Sequence, residues 1–390
     1  MRIRVFSTTI PGIEDIACSE VESLLGCRSE PGVGRIFFEA GTESIYLLNL
    51  GARTLHKIMI QLCREKFQSL EDIYRIAVNT DYTWIIDPDQ TFAIRSERVG
   101  THDFTSVDVA RVAGQAVIDS FKQATGTRLR VNLDEPDVEI YCLVREDEFL
   151  MGINTTGASL HRRGYRAYYH PAAIKPTLAS AMIQMSGWNP SEPLIDPMCG
   201  GATILVEAAL KARNMAPNLS RQDFPLLKLK IFSEEELRKI REKMLAQEKK
   251  ETFEIYGMEK YRHHLEGGVN NAKSAGVIET IKLRLGDATK PQDYPDVDFK
   301  FIVVNPPYGL RMNPREGTKK LYEGFLRALR ERTQDATLVT ITTASRRFRE
   351  AAEKTEVPIM EERKILHGRL PVTVFKCEIP PDELEGKLHV

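Results

Sequence analysis

Pro193-Leu194-Ile195-Asp196-Pro197-Met198-Cys199-Gly200-Gly201-Ala202-Thr203 is the stretch on which the fold turns. Its first four residues read as a short buried strand, its glycines as a turn, and Thr203 as the start of an apolar helix running to Ala212. Glycine in such a turn lets the backbone approach a ligand, and the helix that follows offers N–H donors to an anion. A glycine-rich turn alone fits any nucleotide fold. The surroundings narrow it. Further strand-like pieces lie at Phe253–Met258, Ile281–Leu285, Phe301–Val304 and Ala336–Thr342, and helical periodicity at Ala172–Met185, Arg262–Ser274, Lys319–Arg332 and Ser345–Glu353. Ile365–Gly368 and Thr373–Ile379 close the chain around Arg369-Leu370-Pro371. This alternation predicts an α/β, doubly wound parallel sheet with an antiparallel C-terminal hairpin, the Rossmann-like class. Ligands bind such sheets beyond the C-terminal strand ends.

Those ends carry the chemistry. After the first strand comes the glycine turn. After the second comes Gly257-Met258-Glu259, an acid suited to two vicinal hydroxyls. After the third comes Gly286-Asp287-Ala288, whose carboxylate can accept from an aromatic amine. The fourth delivers Asn305-Pro306-Pro307-Tyr308. Its two prolines remove backbone donors and stop the strand, leaving acceptors beside a ring face. A flat heteroaromatic base with an exocyclic amine needs that combination. Any one of these acids could equally be a turn or cap residue; four successive strand ends so equipped are a poor match to that reading.

At 390 residues the chain is expected to hold two or three domains. Its 42% hydrophobic and 28% charged residues describe a globular rather than a disordered protein, and no apolar run is long enough to span a bilayer. The six cysteines lack C-x-x-C spacing, so reduced thiols are expected and neither a disulfide frame nor a metal site. The N-terminus reads as a strand, not a signal peptide, and the cytoplasm is the default location. Residues 1–65 alternate strand and helix as a ferredoxin-like α+β unit. Residues 66–155 form a second α+β unit, 156–170 a linker, and 171–390 the Rossmann-like region, with an insertion near 213–252 whose acidic Ser233–Glu251 reads as a solvated helix.

A net charge of −1 does not mark a nucleic-acid partner, but the charge is segregated. Residues 160–170 hold three arginines, two histidines, three tyrosines and no acid. Aromatics interleaved with arginine suit contact with bases and phosphates, and equally suit a linker packed between domains. Between the strand at Thr91–Arg95 and the helix at Ser106–Thr125 lies Arg95-Ser96-Glu97-Arg98-Val99-Gly100-Thr101-His102-Asp103-Phe104-Thr105-Ser106. Thr105 or Ser106 can cap the helix, and Arg95, Arg98, His102 and Arg111 could neutralise a phosphate backbone there. The alternative pairs Arg95 with Glu97 on a solvated strand edge.

This second unit resembles THUMP domains, the RNA-binding modules of several tRNA-modifying enzymes. The strand-end series resembles S-adenosylmethionine (SAM)-dependent methyltransferases acting on exocyclic amines. Together with Leu160-His161-Arg162-Arg163-Gly164-Tyr165-Arg166 and Lys175-Pro176-Thr177-Leu178-Ala179, the whole chain is similar to the THUMP-containing RNA guanine-N2-methyltransferases, closest to the TrmN-type tRNA enzymes. The resemblance implies SAM as cofactor, held by Thr177, Asp196, Met198, Cys199, Gly200, Gly201, Thr203, Glu259, Lys260, Asp287, Ala288 and Asn305. It implies catalysis by Asn305, Pro306, Pro307 and Tyr308, and RNA contacts by Arg162, Arg163, Arg166 and Arg311 beside those of the second unit. It also implies tRNA as partner, held by its acceptor stem and 3′ end, with guanine 6 as target, and a monomer is the simplest expectation. Two positions depart from the family pattern: Ala202 stands where a glycine is common, and Glu259 where an Asp is. Guanine 10 of tRNA, an rRNA guanine, an adenine N6 and an inactive RNA-binding scaffold are the alternatives.

Overall fold

The computed structural model describes residues 1–308, 316–368 and 370–380. It divides into two compact units: residues 1–9, 18–160 and 219–243 form one, and residues 10–17, 161–218 and 244–390 the other.

The first unit is built on β1 (Arg2–Thr8), most of α1 (Glu14–Leu25), β2 (Ser29–Gly32), β3 (Arg35–Gly41), α2 (Thr42–Gly51), β4 (Lys57–Lys66), α3 (Leu70–Val78), β5 (Thr91–Val99), α4 (Ser106–Thr125), β6 (Arg130–Val131), β7 (Val138–Arg145) and β8 (Glu148–Asn154). All eight strands share one sheet in the order β2-β3-β1-β4-β8-β7-β5-β6. The ferredoxin-like and second α+β stretches are thus joined edge to edge by the antiparallel β4–β8 pair. β5 runs to Val99, four residues past the expected Arg95, because it pairs in parallel with β7 along its whole length from Phe92 to Val99. Residues 219–243, from the stretch read as an insertion, pack here. Tyr46 stacks edge-on against Phe232 and its hydroxyl accepts from the Ser233 N–H at 2.7 Å, while Arg221 donates to the Ala158 carbonyl at 2.7 Å.

The second unit begins, after the linker stretch, with α5 (Pro176–Ser186), β9 (Leu194–Asp196) and α6 (Thr203–Ala212); α7 (Glu234–Ala246) lies mostly in the first unit. Next come β10 (Ile255–Glu259), α8 (Arg262–Ser274), β11 (Ile281–Leu285), β12 (Phe301–Val304), α9 (Glu316–Arg332), β13 (Ala336–Thr342), α10 (Ser345–Lys354), β14 (Ile359–His367) and β15 (Leu370–Ile379). α7 is solvated as expected, burying only Leu237 and Ile240. The sheet order is β11-β10-β9-β12-β13-β15-β14. It is parallel through β13 and closed by an antiparallel β14–β15 hairpin. Period-2 alternation sends Val303 and Val339 into a core with α5 and α6, and Ile302, Val304 and Leu338 into another with α9 and α10. Both faces are covered, so the sheet is doubly wound as predicted. Strand order reverses at β9, which places the ligand crevice at the ends of β9 and β12.

α5 starts at Pro176, four residues later than the expected Ala172. A residue before proline disfavours the helical region, and Lys175 is extended at φ −65°, ψ 138°. Residues 172–175 therefore run as irregular chain.

Candidate active site

The glycine turn crosses from β9 to α6 with two left-handed residues, Gly200 at φ 52° and Ala202 at φ 58°. Ala202 stores roughly 1–2 kcal/mol of backbone strain that a glycine would not. The turn is stitched by Ala202 N–H to the Cys199 carbonyl at 2.7 Å and Cys199 N–H to the Met258 carbonyl at 2.9 Å. Ala202 at the N-cap makes no side-chain cap hydrogen bond, which leaves the first N–H groups of α6 facing the turn. Asp196 is buried beneath and accepts from the Met198 N–H at 3.1 Å; burial pushes its carboxyl well up, partly opposed by that N–H.

Glu259, at the end of β10, is buried, and its carboxylate bridges two backbone groups: the Gly200 N–H at 3.0 Å and the Tyr261 N–H at 2.8 Å. Asp287, just past β11, accepts from the Thr289 N–H at 3.1 Å and hydroxyl at 2.8 Å and pairs with Lys260 at 2.9 Å. Burial alone would raise its carboxyl, but Lys260 and Thr289 outweigh that and bring it down to about 2. Ala288 supplies a carbonyl to the Tyr294 hydroxyl at 2.9 Å. Thr177 and Cys199 are buried, and Met198 is half-buried.

Asn305 follows β12 directly. Its Nδ2 donates to the Ala172 carbonyl at 2.9 Å, and its Oδ1 accepts from the Tyr308 hydroxyl at 2.8 Å. A carbonyl can only accept, so the amide orientation is settled: nitrogen towards Ala172, oxygen away from it. Burial raises the Tyr308 hydroxyl, which stays a neutral donor. Pro306 is buried and Pro307 exposed.

α8 spans Arg262–Ser274 as expected, but the part its Asn271, Gly267 and Gly268 play at the site was not foreseen. Asn271 accepts from the Tyr168 N–H at 2.8 Å and donates to the carbonyls of Tyr168 at 3.0 Å and Gly201 at 2.9 Å. A Cβ at Gly267 would lie 2.2 Å from the Tyr168 ring, and one at Gly268 would lie 3.0 Å from the Gly200 carbonyl. The signal was available: two adjacent glycines inside a helix destabilise it and are kept where something must come close.

The arginine expectations divide. Arg163 is corrected. Its side chain is fully buried, with Nε 3.3 Å from Glu207 and a guanidinium N–H donating to Asn218 at 3.1 Å, so it cannot meet RNA. The Tyr165 and Ser180 hydroxyls donate to the same carboxylate at 3.0 and 2.7 Å. Burying a guanidinium is tolerable only with such partners. Arg166 turns onto the Ile174 carbonyl, and Arg162 is exposed. Arg311 lies outside the described residues. In the first unit Thr105 caps α4 through a capping box with Asp108. Arg95 reaches the Leu133 carbonyl at 2.7 Å and Glu139 at 3.4 Å; Glu97, its partner in the alternative reading, is taken by the Tyr141 hydroxyl at 2.9 Å. Arg98 donates to the Gly100 carbonyl at 3.0 Å and stands 3.3 Å from His102, and Arg111 lies 3.6 Å from Asp108. A groove of about 540 Å³ along β4 and α3 is lined by Arg4, Arg64, Lys66, Arg75 and Trp84, among others.

Residues 163–372 match the RMKL-like methyltransferase domain family, residues 67–154 the THUMP domain, and residues 4–59 the RlmL ferredoxin-like domain. The chain is similar to a tRNA (guanine(6)-N2)-methyltransferase of Archaeoglobus fulgidus, 43% identical over 94% of this chain and 90% of that one. It is similar to another of Methanocaldococcus jannaschii, 40% identical over 95% and 98%. Among solved structures it resembles a possible methylase from Clostridium difficile 630, with TM-score 0.88 and 25% identity, covering 98% of this chain and 99% of that one.

Proposed function

Because this chain belongs to the family of THUMP-bearing RMKL-like methyltransferases, we propose that it transfers a methyl group from SAM to the exocyclic N2 of guanosine 6 in tRNA, giving N2-methylguanosine. The observation that carries the reading is the Asn305 amide, held by Ala172 at the end of β12 where strand order reverses, beside the glycine turn and buried Glu259.

The donor set fits SAM. Gly201 and the start of α6, where Ala202 makes no side-chain cap, offer N–H groups to its amino-acid carboxylate, while the Gly200 N–H is held by Glu259. Each oxygen of Glu259 spends one acceptor site on backbone and keeps another, enough for two ribose hydroxyls. Asp287 stays charged at any working pH and can accept from the adenine amine, with Lys260 and Ala288 alongside. Thr177, Asp196, Met198, Cys199 and Thr203 complete the wall. When bound, SAM supplies an electrophilic methyl.

The protein's own part is placement and hydrogen bonding. Guanine N2 is a weak nucleophile because its lone pair is delocalised into the ring. Asn305 Oδ1 and a proline carbonyl accept from its N–H bonds and favour a more tetrahedral nitrogen, once the Tyr308 hydroxyl yields the amide oxygen. Tyr308 then stacks on the extruded base. Holding the two reacting atoms in line is worth about 7–11 kcal/mol, more than one acid–base group contributes. The amine becomes acidic only as it is methylated, so a neutral Asn suffices as acceptor, the released proton passes to water, and no strong base is needed.

The first unit is the RNA module. Its THUMP match supports capture of the acceptor stem and 3′ end. In the groove Trp84 offers a stacking face, while Arg4, Arg64, Lys66 and Arg75, each paired with a carboxylate, would exchange those partners for phosphates. Labelled methyl transfer to unmodified tRNA transcripts, with and without the 3′ CCA, followed by nucleoside mapping, tests this. N2-methylguanosine at position 6, reduced on CCA removal, is the expected result. Methylation at guanine 10, on rRNA or at an adenine would move the substrate, and SAM binding without transfer to any RNA would sink the activity.

A further inference from the structure

Between the arginine-rich stretch and α5 the chain crosses the site as an irregular strap, residues 168–172, tied down at several points. Tyr168 is pinned at both backbone groups by Asn271 and seats its ring where only glycine, Gly267, leaves room. Its hydroxyl is hydrogen-bonded to His264 Nδ1 at 2.6 Å. His170 packs its ring over Gly200, 3.4 Å from where a Cβ would stand, and meets His264 edge-on at 4.2 Å. Two residues further on, the Ala172 carbonyl receives the Asn305 Nδ2 at 2.9 Å. Asn271 closes the circuit by also donating to the Gly201 carbonyl at 2.9 Å.

We propose that this strap is the positioning element of the reaction. Anchored on Gly267 and Asn271 and lying on the glycine turn, it holds the Ala172 carbonyl where it fixes which way the Asn305 amide faces. The physical reason is that an amide has two nearly isosteric ends. Asn305 on its own could present N–H₂ or C=O to the target amine, and only the oxygen is useful. Tyr308 cannot decide the matter, because a hydroxyl both donates and accepts. A backbone carbonyl accepts only, so Ala172 breaks the tie. Since the same strap rests on Gly200 and is tied to Gly201 through Asn271, displacing it disturbs cofactor binding and amide orientation together. Gly267 and Tyr168 act through other residues and not by touching the substrate.

The inference rests on the proposed N2-methyltransfer and is tested with Gly267→Ala. In a helix interior alanine is ordinarily favoured over glycine, so thermal stability is expected to hold while the new methyl displaces the Tyr168 ring. In the ligand-free variant the amides of residues 168–172 are expected to exchange faster. Affinity for S-adenosylhomocysteine by calorimetry is expected to fall roughly fivefold, and single-turnover methyl transfer about 10- to 100-fold. Combined with Asn305→Ala, the substitution should slow transfer no further yet still weaken S-adenosylhomocysteine binding, because the rate effect runs through Asn305. Tyr168→Ala, which leaves α8 unaltered, should show the same split. Parental rates in both variants, or rate losses that multiply with Asn305→Ala, would overturn the strap's role. A parent protein that makes no N2-methylguanosine would instead count against the activity itself, whatever the exchange data show.

Discussion

The turn at 196–203 and the stretch at 160–170 are both dense in functional residue types, yet folding treats them differently. In the turn, backbone topology does the placing: a parallel strand must release its chain at the sheet's C-terminal edge, so Gly200 meets Glu259 from the neighbouring strand. In the arginine-rich stretch, side chains of one type go separate ways. Arg162 is exposed, Arg163 is sealed against Glu207, and Arg166 turns back onto the chain. Strand ends inherit their role from position in the fold, whereas an arginine takes its role from whichever partner lies within reach. Composition is therefore a safer guide to chemistry at strand ends than in linkers.

That contrast can be broken or sharpened by substitution. The largest expected effect is at the strand ends. Asn305→Ala should lower single-turnover transfer to below about a thousandth of the parent rate, while calorimetry finds S-adenosylhomocysteine affinity unchanged. Lost affinity would show that Asn305 serves the cofactor instead. Next comes Arg163→Ala, which strands the buried Glu207 carboxylate and should cost about 3–5 kcal/mol of unfolding free energy by denaturant titration. A change of RNA affinity without one of stability would restore it to the RNA surface. Its neighbour provides the smaller counterpart. Arg162→Ala should leave stability within about 0.5 kcal/mol, weaken tRNA binding severalfold and reduce the salt dependence by about one phosphate contact.

The smallest effect is a pH dependence of the strap. Burial lowers the His170 imidazole below its usual range, helped by His264 and His263 and opposed by Glu259; burial and His263 lower His264 likewise. A depressed histidine is less protonated folded than unfolded. The strap's contribution is thus complete above the ordinary histidine pKa and is lost as pH falls below it towards the folded values. Tyr168 and Tyr261 are the other titratable groups that face this cluster. After correction for intrinsic rates, amide protection at 168–172 should fall modestly between about pH 7.5 and about pH 5.5. Protection flat across that range would remove the histidines from the strap's energetics.

The doubly wound sheet, its antiparallel hairpin and the four equipped strand ends were readable along the chain, because short apolar runs alternating with helical periodicity admit few topologies. Apolar spacing extends the helical pattern to Ala172, four residues before the actual start of α5 at Pro176, and so masks the strap. Partners of opposite sign were beyond reach: Arg95 lies beside Glu97 in sequence, yet pairs with Glu139 on β7.

The order of strands, turns and acids, and through it the site's position, is written in the chain, because backbone periodicity and proline or glycine breaks are local properties. Which groups face one another is a matter of packing. Arg163 finds Glu207, Tyr168 finds Gly267 and Asn271, and Asn305 finds the Ala172 carbonyl, across 44, 103 and 133 residues for the hydrogen-bonded pairs Arg163–Glu207, Tyr168–Asn271 and Asn305–Ala172. Such pairings depend on helix–sheet packing and on buried polar groups satisfying one another, and neither leaves a periodic mark on the chain.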